Sequence, residues 1–514
     1  MHSLQSLDAP RTVRTHTPIA GRILSQDEAM SLGKRLLDLI ATSALGWRPP
    51  GVTIEHTVRS VLKVTNDHVL SSHDGDEVSV HFDGQGGSGI PMGIGTNQLD
   101  DASLRQVVAK AAAMAPKVDE RPPSRTDDPE AETFKPRTFT PVSLWHDPTI
   151  AAMDTIRGET APALVEQIRA SQLMGVATVG LSARSALYLY RGGLTAWSTE
   201  TDGEVTVTAR TLDGKTSGWS GQASRNWSDI RPETIARDAI DLANRGRNIV
   251  VLEPGRRVAI LSATAVGQIV RSMAGSFDAY ATDEYQATPF ALIGPGGRKN
   301  KLGMRVTDAR IMLSSDPTDP LGGYPPFFEA GSFNGMPGLP IAAATWIDRG
   351  VLKNLSYNMS YANQRGKTWN ELPFSMRLNA VPGTKTSTVE EMIANCEDGI
   401  YVNRFSSVSV VDGKSGLMTG VTRDGCFRIK NGKFDRPIKN FRFIESPMFM
   451  FNRLLGIGTP SRVAFGYAPP ATRGWTGFGS WPPTGRDSRW PMAPIIVPPM
   501  MVQDFNFSAL SDAV

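Results

Sequence analysis

Histidine is missing from most of this chain. All seven histidines lie within the first 146 of its 514 residues, so the C-terminal part has none. Imidazole is the usual metal ligand and general base of hydrolytic sites near neutral pH. The C-terminal part therefore cannot build such a site from histidines of its own. The seven are His2, His16, His56, His68, His73, His81 and His146.

Cysteine is also scarce, since the chain contains only Cys396 and Cys426. One potential disulfide says little in a chain of this size, and such sparse use fits a reducing compartment without requiring one. Cys426 lies in a strand-like stretch with no histidine near it in sequence. A buried packing side chain is the default for such a cysteine, and a nucleophilic role is the alternative.

Long apolar runs are missing as well. Residues 1–24 form a polar arm without the apolar stretch of a signal peptide. The apolar segment at 491–502 carries four prolines, which excludes a membrane helix. We expect a soluble, cytoplasmic protein with no membrane partner, although a chain whose leader had been removed would look the same.

The charges are nearly balanced, with 54 basic and 51 acidic residues interspersed along the chain. Neither a block of lysine and arginine nor a ladder of basic and aromatic residues is present, so we expect no nucleic-acid partner. The hydrophobic content of 40% is that of an ordinary globular protein. The length implies two or more domains.

The region at 25–250 repeats one pattern. Its first copy has capping-box spacing at Ser25 and Glu28 before an amphipathic helix, then alternating strands, then a helix at 101–115. After a polar linker at about 116–150, the helix, strands and helix recur. We predict a duplicated module of helices and antiparallel strands that builds one sheet. Chance similarity of two amphipathic helices is the alternative.

Short alternating runs with glycine and proline turns predominate from residue 251 onward. They predict a mostly antiparallel β region at 251–468, either a barrel or a sandwich, which opens with a helix at about 265–274. The last residues, 469–514, are rich in proline and tryptophan and are expected to form an extended tail. The fold class predicted for the whole chain is α+β.

Two short motifs point to ligand sites, but each has a simpler explanation. Gly84-Gln-Gly86-Gly-Ser-Gly89 matches a dinucleotide-binding fingerprint, which requires a helix directly after it. A strand-like stretch follows, so we predict a β-hairpin loop. His73-Asp-Gly-Asp76 places an imidazole beside two carboxylates, yet Asp-Gly between apolar runs is first a turn signal. We predict a solvated hairpin there rather than a metal site.

Serine, histidine and aspartate are all present, so composition does not exclude a catalytic triad. However, no stretch of the chain resembles the G-x-S-x-G elbow of serine hydrolases.

An ordered series of short motifs runs through the C-terminal part. It comprises Asp316-Pro-Thr-Asp-Pro-Leu-Gly-Gly-Tyr324, Trp346-Ile-Asp-Arg-Gly350, Tyr361-Ala-Asn-Gln-Arg-Gly366, Gly399-Ile-Tyr-Val-Asn-Arg404 and Ile429-Lys-Asn-Gly-Lys433. Each motif alone is weak, but the series resembles the TldD/PmbA family, called modulators of DNA gyrase in older usage and metallopeptidases in newer. The duplicated N-terminal pattern resembles that family more loosely. The arm, the linker and the tail lie outside the resemblance.

The resemblance implies a subunit of a pair. TldD-like subunits carry H-E-x-x-x-H on the helix that opens the β region, and a later cysteine completes a zinc site. TldE-like, or PmbA-like, subunits lack the motif. Matched to it within Val258–Gly275, the two histidines fall at Val270 and Gly275 and the glutamate at Arg271. The segment of the third ligand, about 475–481, has no cysteine.

An apolar side chain, a cation and a glycine cannot hold zinc, and a cation would oppose its binding. We therefore expect no catalytic and no metal-binding residue in this chain, and zinc in the partner subunit. The resemblance implies the non-catalytic, TldE-like subunit of a heterodimeric metallopeptidase complex that processes small or unfolded peptides. One alternative is a peptide-binding or maturation scaffold without a peptidase partner. Another is an independent enzyme that uses Cys426 or a carboxylate.

Overall fold

The structure is a computed structural model, and it describes residues 23–42, 51–66, 68–83, 92–96, 98–114, 134–245, 248–292, 299–328, 338–370, 373, 375–466 and 494–512. We call residues 23–245 the N-terminal part and residues 248–512 the C-terminal part. Within these ranges, no helix is long and apolar enough to cross a membrane. The α+β class predicted from the sequence is confirmed.

Six antiparallel strands form one sheet in the N-terminal part. They are β1 (Gly51–Thr65), β2 (Val69–Asp83), β3 (Met92–Thr96), β4 (Met174–Tyr190), β5 (Thr195–Arg210) and β6 (Ser217–Ser224). Their order is β3-β2-β1-β4-β5-β6, so β1 and β4 meet at the centre and each begins a meander that runs outward. The single sheet built from two similar halves is the arrangement that the repeated sequence pattern predicted.

Helices cover one face of this sheet. They are α1 (Gln26–Thr42), α2 (Asp101–Met114), α3 (Asp147–Thr155), α4 (Ala161–Ala170) and α5 (Pro232–Arg245), with a π-helical turn (Ile156–Thr160) between α3 and α4. Strand residues such as Ile54, Leu187 and Val205 are buried in the cores beneath these helices. Because strand side chains alternate, the residues between them form the opposite face. That face carries buried charged residues as well as aromatic ones such as Tyr188, and it lies against the C-terminal part.

The first helix begins where the sequence predicted it. The amide of Ser25 donates to Glu28 Oε2 at 2.9 Å, and the amide of Glu28 donates to Ser25 Oγ at 3.3 Å. This reciprocal pair is a capping box, which satisfies two amides that the helix itself leaves unpaired.

The C-terminal part follows as a series of short strands and helices. In chain order they are β7 (Gly255–Leu261), α6 (Ala263–Ser272), α7 (Ala279–Asp283), β8 (Ile311–Ser315), β9 (Ala344–Asp348), β10 (Val351–Leu352), α8 (Met359–Arg365), β11 (Met376–Ala380), α9 (Val389–Ala394), β12 (Asp398–Asp412), β13 (Leu417–Lys430), β14 (Lys433–Pro437), β15 (Phe441–Glu445), α10 (Pro447–Phe451), β16 (Leu454–Ile457), β17 (Ser461–Arg462), β18 (Ile495–Val497) and β19 (Met500–Leu510).

Five of these strands close into a barrel. β12 pairs with β7, β7 with β19, β19 with β15, and β15 with β13, which returns to β12. A second sheet has the order β10-β9-β8-β11-β18-β17. Helix α6 shares one apolar core with the barrel and the second sheet, in which Val270, Leu378 and Ile400 are buried. The helix that opens the β region is therefore an internal packing element.

The hairpin turn predicted at His73–Asp76 is wrong. These residues lie inside β2, where His73 is opposite Val61 and Asp76 is opposite Val58 of β1. The connection between β1 and β2 falls between Thr65 and Val69 instead. An Asp-Gly pair is tolerated in β2 because the side chains around it are exposed on an outer stretch of the sheet.

The fingerprint-like stretch Gly84–Gly89 lies outside the described residues. The next element is strand β3, which pairs antiparallel with β2. A nucleotide-binding fingerprint requires a helix at that point, so this connection does not have the dinucleotide-binding arrangement.

The end of the predicted tail contributes strands to both C-terminal sheets. β18 lies between β11 and β17, and β19 lies between β7 and β15 in the barrel. Pro498 and Pro499 separate these two strands rather than extending a tail. The density of prolines obscured the apolar side chains of β19, among which Phe505 and Phe507 are buried.

The end of the predicted linker is packed against the N-terminal sheet. Phe134 and Leu144 are buried, and the amide of Leu194 donates to the carbonyl of Phe134 at 2.7 Å. Helix α3 then begins at Asp147, where the sequence predicted continuing linker. Its mixed composition and Pro148 concealed it, since proline is compatible with the first turn of a helix.

At Gly218, strand β6 approaches the backbone of helix α5 closely. A β-carbon here would lie 2.2 Å from the carbonyl oxygen of Ala239 and 2.6 Å from the amide nitrogen of Ala243. Since both atoms belong to the helix backbone, α5 must shift. We expect Gly218→Ala to lower the free energy of unfolding by about 1–3 kcal/mol, measured by chemical denaturation.

Gly158→Ala is the control for this substitution, because nothing lies within 4 Å of a β-carbon added there. Equal stability of the two variants would contradict the close packing of α5 on β6.

Candidate functional site

The helix matched to the family motif begins close to the predicted position of about residue 265. Residues up to Leu261 belong to β7, and α6 starts at Ala263. Ser262 caps it, since its hydroxyl accepts the amide of Ala265 at 3.2 Å and donates to the carbonyl of Asn403. The cap ties the start of α6 to barrel strand β12. Of the segment Val258–Gly275, only the part from Ala263 onward is helical.

The structure places Val270, Arg271 and Gly275 in three different environments. Val270 is fully buried in the shared C-terminal core. Arg271 points elsewhere, with its guanidinium carbon 5.2 Å from the centroid of the Phe465 ring. Gly275 lies beyond the end of α6, in the 3₁₀ turn Ala274–Phe277. The three positions offer an aliphatic side chain, a cation and no side chain.

These residues do not fit a zinc ion. Zinc in proteins is held by imidazole, thiolate or carboxylate groups, and none of the three side chains carries one. Over the part of the chain that the structure describes, no three His, Cys, Asp or Glu side chains are grouped in a way that could hold a metal. The segment at 475–481, matched to the third ligand, lies outside the described residues.

The C-terminal end of α6 faces the N-terminal sheet across the segment that contains Phe465. The ring under Arg271 belongs to Phe465, and the amide of Phe465 donates to Glu204 Oε2 on β5 at 3.2 Å. Next to this contact, Arg462 of β17 forms an ion pair with Asp202 of β5 at 2.6 Å. We call the stretch Ser461–Gly466 the bridging segment, because it joins α6 to the N-terminal sheet.

A row of carboxylates lies on β5 beside the bridging segment. Glu200, Asp202 and Glu204 alternate along the strand, so all three point to the same face. Each of them is buried, with relative exposures between 2% and 7%. Buried carboxylates require hydrogen-bond or ion-pair partners. For Glu200 and Asp202, these partners are arginines from other elements.

Three arginines hold this row. Arg184 of β4 bridges Glu200 at 2.9 Å and Glu55 of β1 at 2.6 Å. Arg225 contacts Glu200 at 2.9 Å and also donates to the carbonyl of Gly323 in the C-terminal part at 2.6 Å. Together with the Arg462–Asp202 pair, these contacts form an ionic region of the boundary between the two parts. It lies beside an apolar region in which Tyr188 of β4 packs against Phe327.

Glu204 is the least compensated member of the row. Burial raises its pKa to about 7 from an ordinary value of 4.5, although the amide of Phe465 acts against that rise. Burial also raises the pKa of Asp202, against the opposing effect of Arg462. The row therefore contains a carboxyl group that changes charge near neutral pH.

A second cluster brings Ser185, His56 and Asp76 together, the residue types of a catalytic triad. Ser185 of β4 is directly opposite His56 of β1, and His56 Nε2 lies 2.7 Å from Asp76 Oδ1. The other ring nitrogen, Nδ1, accepts the amide of Leu24 at 2.9 Å. Because both nitrogens are engaged by other groups, His56 does not serve Ser185 as a general base in this arrangement. The cluster anchors the start of α1 to the sheet.

The cysteine considered as a nucleophile is poorly placed for that role. Cys426 is buried in the barrel core, and burial raises the pKa of its thiol to about 12. A thiolate, not a thiol, is the nucleophile. Cys396 is also buried, and burial likewise raises its pKa. Neither cysteine has the electropositive, accessible surroundings of a reactive thiol.

Sequence reasoning missed the ionic row between the two parts. A signal was present, because Glu200, Asp202 and Glu204 are spaced two residues apart, although two separate strands rather than one continuous strand were predicted there. Such spacing puts all three carboxylates on one face. Their arginine partners come from distant positions, and no local pattern marks Arg462 as one of them.

Comparison with known proteins agrees with this architecture. A family profile described as the PmbA/TldA metallopeptidase C-terminal domain matches residues 254–509. The matched segment begins just before β7 and ends within β19. A comparison with curated proteins found no match.

Three solved structures have the same fold. A Thermotoga maritima protein whose name links it to modulation of a DNA gyrase has 14% identity and a TM-score of 0.68, covering 93% of this chain and 99% of its own. A Bacteroides thetaiotaomicron protein with a similar name has 13% identity and a TM-score of 0.66, covering 95% and 100%. TldE from Thermococcus kodakarensis has 13% identity and a TM-score of 0.62, covering 89% and 96%.

Removing one partner of the Asp202–Arg462 pair tests the ionic boundary. Arg462→Met leaves a buried carboxylate without its principal cation, so we expect the free energy of unfolding at pH 8 to fall by about 3–5 kcal/mol. The double variant Asp202→Asn, Arg462→Met removes both charges and should recover much of that loss. Denaturation of both variants at the same pH measures the coupling.

Lys215→Met is the control for a surface pair, since Lys215 and Asp213 are exposed and 3.6 Å apart. It should change stability by less than about 1 kcal/mol. If the double variant were as unstable as the single one, Asp202 and Arg462 would not act as a pair.

Proposed function

Because the chain belongs to the TldD/PmbA family, we propose that it is the non-catalytic, TldE-like subunit of a two-subunit zinc metallopeptidase. A TldD-like partner would carry the H-E-x-x-x-H motif, the zinc ion and the activated water. The complex would act on small or unfolded peptides. This chain would complete the enclosed site without supplying a catalytic group.

The observation that carries the proposal is the chemistry at Val270, Arg271 and Gly275. Metal-assisted peptide hydrolysis requires imidazole or carboxylate ligands for zinc and a carboxylate that accepts the proton of the attacking water. A valine packed in the core and a glycine bind no metal. An arginine in the place of the glutamate carries the wrong charge for both tasks.

Three further observations support the proposal. No histidine occurs after residue 146, so a neighbouring position of the C-terminal part cannot supply an imidazole. The likeness to TldE from Thermococcus kodakarensis is a likeness of fold, and it fits a TldE-like subunit. The raised pKa of Cys426 also weighs against an independent cysteine mechanism.

Within the complex, this chain's own residues would act by positioning. Asp202 and Glu204 of the ionic row on β5 bind the bridging segment. Phe465 of that segment contacts Arg271 at the C-terminal end of α6. The surface built from α6 and the N-terminal sheet is thereby kept in one arrangement. A partner that shares an enclosed site with this chain needs such a fixed wall, because a flexible one would leave the site open to water.

Reconstitution tests the proposal. We expect the isolated chain to cleave no unstructured peptide, and cleavage to begin when a TldD-like chain encoded in the same genome is added. The control is the same mixture with the glutamate of the partner's H-E-x-x-x-H replaced by glutamine, which should abolish cleavage while leaving the complex intact by size-exclusion chromatography.

Cleavage by the isolated chain would overturn the non-catalytic role. Failure of the two chains to associate, together with a stable assembly of this chain alone, would favour a scaffold without a peptidase partner. Cys426→Ala should leave the activity of the mixture unchanged.

A further inference from the structure

Glu204 is a buried carboxyl group with one satisfied oxygen. Its Oε2 accepts the amide of Phe465 at 3.2 Å. Its Oε1 is buried and has no hydrogen-bond partner among the described residues. The side chain as a whole is only 7% exposed. The backbone amides of Phe465 and Gly466 both stabilise its anion. A buried carboxylate that has amide donors but no ion pair of its own is still unfavourable in such a place, and a neutral carboxyl group is less so.

The strands on either side of Glu204 bring no cation to it. Gly180 of β4 is directly opposite it on one side, and Ala223 of β6 is opposite it on the other. On its own strand the neighbour on the same face is Asp202, a second carboxylate. This like charge disfavours ionisation of Glu204 further.

The cations that approach from the C-terminal part make their close contacts with other groups, although the charge of Arg462 still lowers the pKa of Glu204 to some extent. Arg462 of β17 is paired with Asp202 at 2.6 Å. Arg271 of α6 lies over the ring of Phe465. Glu204 therefore differs from Asp202, which has an arginine of its own.

The segment held by Glu204 is packed between two elements. On one side, Val463 lies against α6, 3.0 Å from where a β-carbon of Gly267 would be. On the other side, Ala464 lies 3.0 Å from where a β-carbon of Gly221 on β6 would be. The bridging segment, Ser461–Gly466, is thus the layer through which α6 contacts the N-terminal sheet.

We propose that Glu204 is a proton-controlled latch: when neutral it holds the bridging segment between the N-terminal sheet and α6, and when ionised it releases that segment to water. Ionisation places an anion in a buried site that offers backbone amides and an adjacent carboxylate but no ion pair of its own, and movement of the segment lets water reach it. The latch is a property of this chain alone and does not rest on the proposed subunit role.

The direction of the pH dependence follows from the two states of the group. In the folded chain burial raises the pKa of Glu204 to about 7, and in the unfolded chain it has the ordinary value of 4.5. Between these values the folded chain keeps a proton that the unfolded chain has lost. The contribution of Glu204 to stability is therefore fully present below pH 4.5 and lost as the pH rises through about 7.

Hydrogen exchange of the bridging segment, followed by mass spectrometry, tests the latch. Glu204→Gln retains an oxygen that can accept the amide of Phe465 but cannot ionise. We expect the wild type to exchange faster than the variant, and the ratio of their exchange rates to rise at least about tenfold between pH 5.5 and pH 8.5. Comparing the two proteins at each pH cancels the intrinsic effect of pH on exchange.

Glu77→Gln is the matched control, because Glu77 is an exposed glutamate of the same sheet. It should follow the wild type at both pH values. If wild type and Glu204→Gln kept the same ratio of rates from pH 5.5 to 8.5, the latch would be refuted.

A measurement on the wild type covers the case in which Glu204→Gln does not fold. The infrared carbonyl band of a protonated, buried carboxyl group should be present at pH 6 and should disappear by pH 8.5, with a midpoint near 7. A carboxyl population that is fully ionised at pH 6 would equally overturn the proposal.

Discussion

The buried ion pair between Asp202 and Arg462 is a strong constraint on the arrangement of the two parts, beside the apolar contact of Tyr188 with Phe327. Both side chains are almost inaccessible, at 2% and 7%, and their charged atoms are 2.6 Å apart. Asp202 comes from β5, next to the edge strand β6 of the N-terminal sheet, and Arg462 comes from a two-residue strand of the second C-terminal sheet. A charge buried without its partner is strongly destabilising, so the face of the N-terminal sheet that carries Asp202 requires the C-terminal part to cover it.

Because the C-terminal part covers this face of the N-terminal sheet, helix α6 has packing contacts on two sides. The helix is held on one side by the apolar core in which Val270 is buried, and on the other by the bridging segment under Arg271. Its positions are thereby used for packing and for a cation–aromatic contact, and none of them presents a metal ligand. A shared fold can serve different tasks, since function depends on the site and not on the scaffold. Here the scaffold is that of a metallopeptidase family, and the site chemistry favours a supporting role.

Much of the fold could be predicted because its signals are local. Helical periodicity placed α2 and α5, the capping pair at Ser25 and Glu28 placed α1, and the repeated pattern predicted a single sheet built from two similar halves. These signals depend on neighbours in sequence. The prediction was wrong where a turn signal, the Asp-Gly pair at 74–75, competed with the strand pattern around it. That pair lies within β2, and the turn falls between Thr65 and Val69 instead.

The contacts between the two parts could not be predicted in the same way. Asp202 and Arg462 are separated by 260 positions, and no pattern near either residue indicates the other. The strands β18 and β19 were hidden for a related reason. Their place inside the sheets is decided by pairing with β11 and β7, and the prolines around them are typical of an extended tail.

The location of zinc tests the central claim most directly. Native mass spectrometry of the complex of this chain with a TldD-like partner, followed by dissociation into subunits, identifies the chain that holds the metal. The proposed role predicts zinc on the partner alone, with this chain recovered at its metal-free mass. Stoichiometric zinc retained by this chain would contradict the claim.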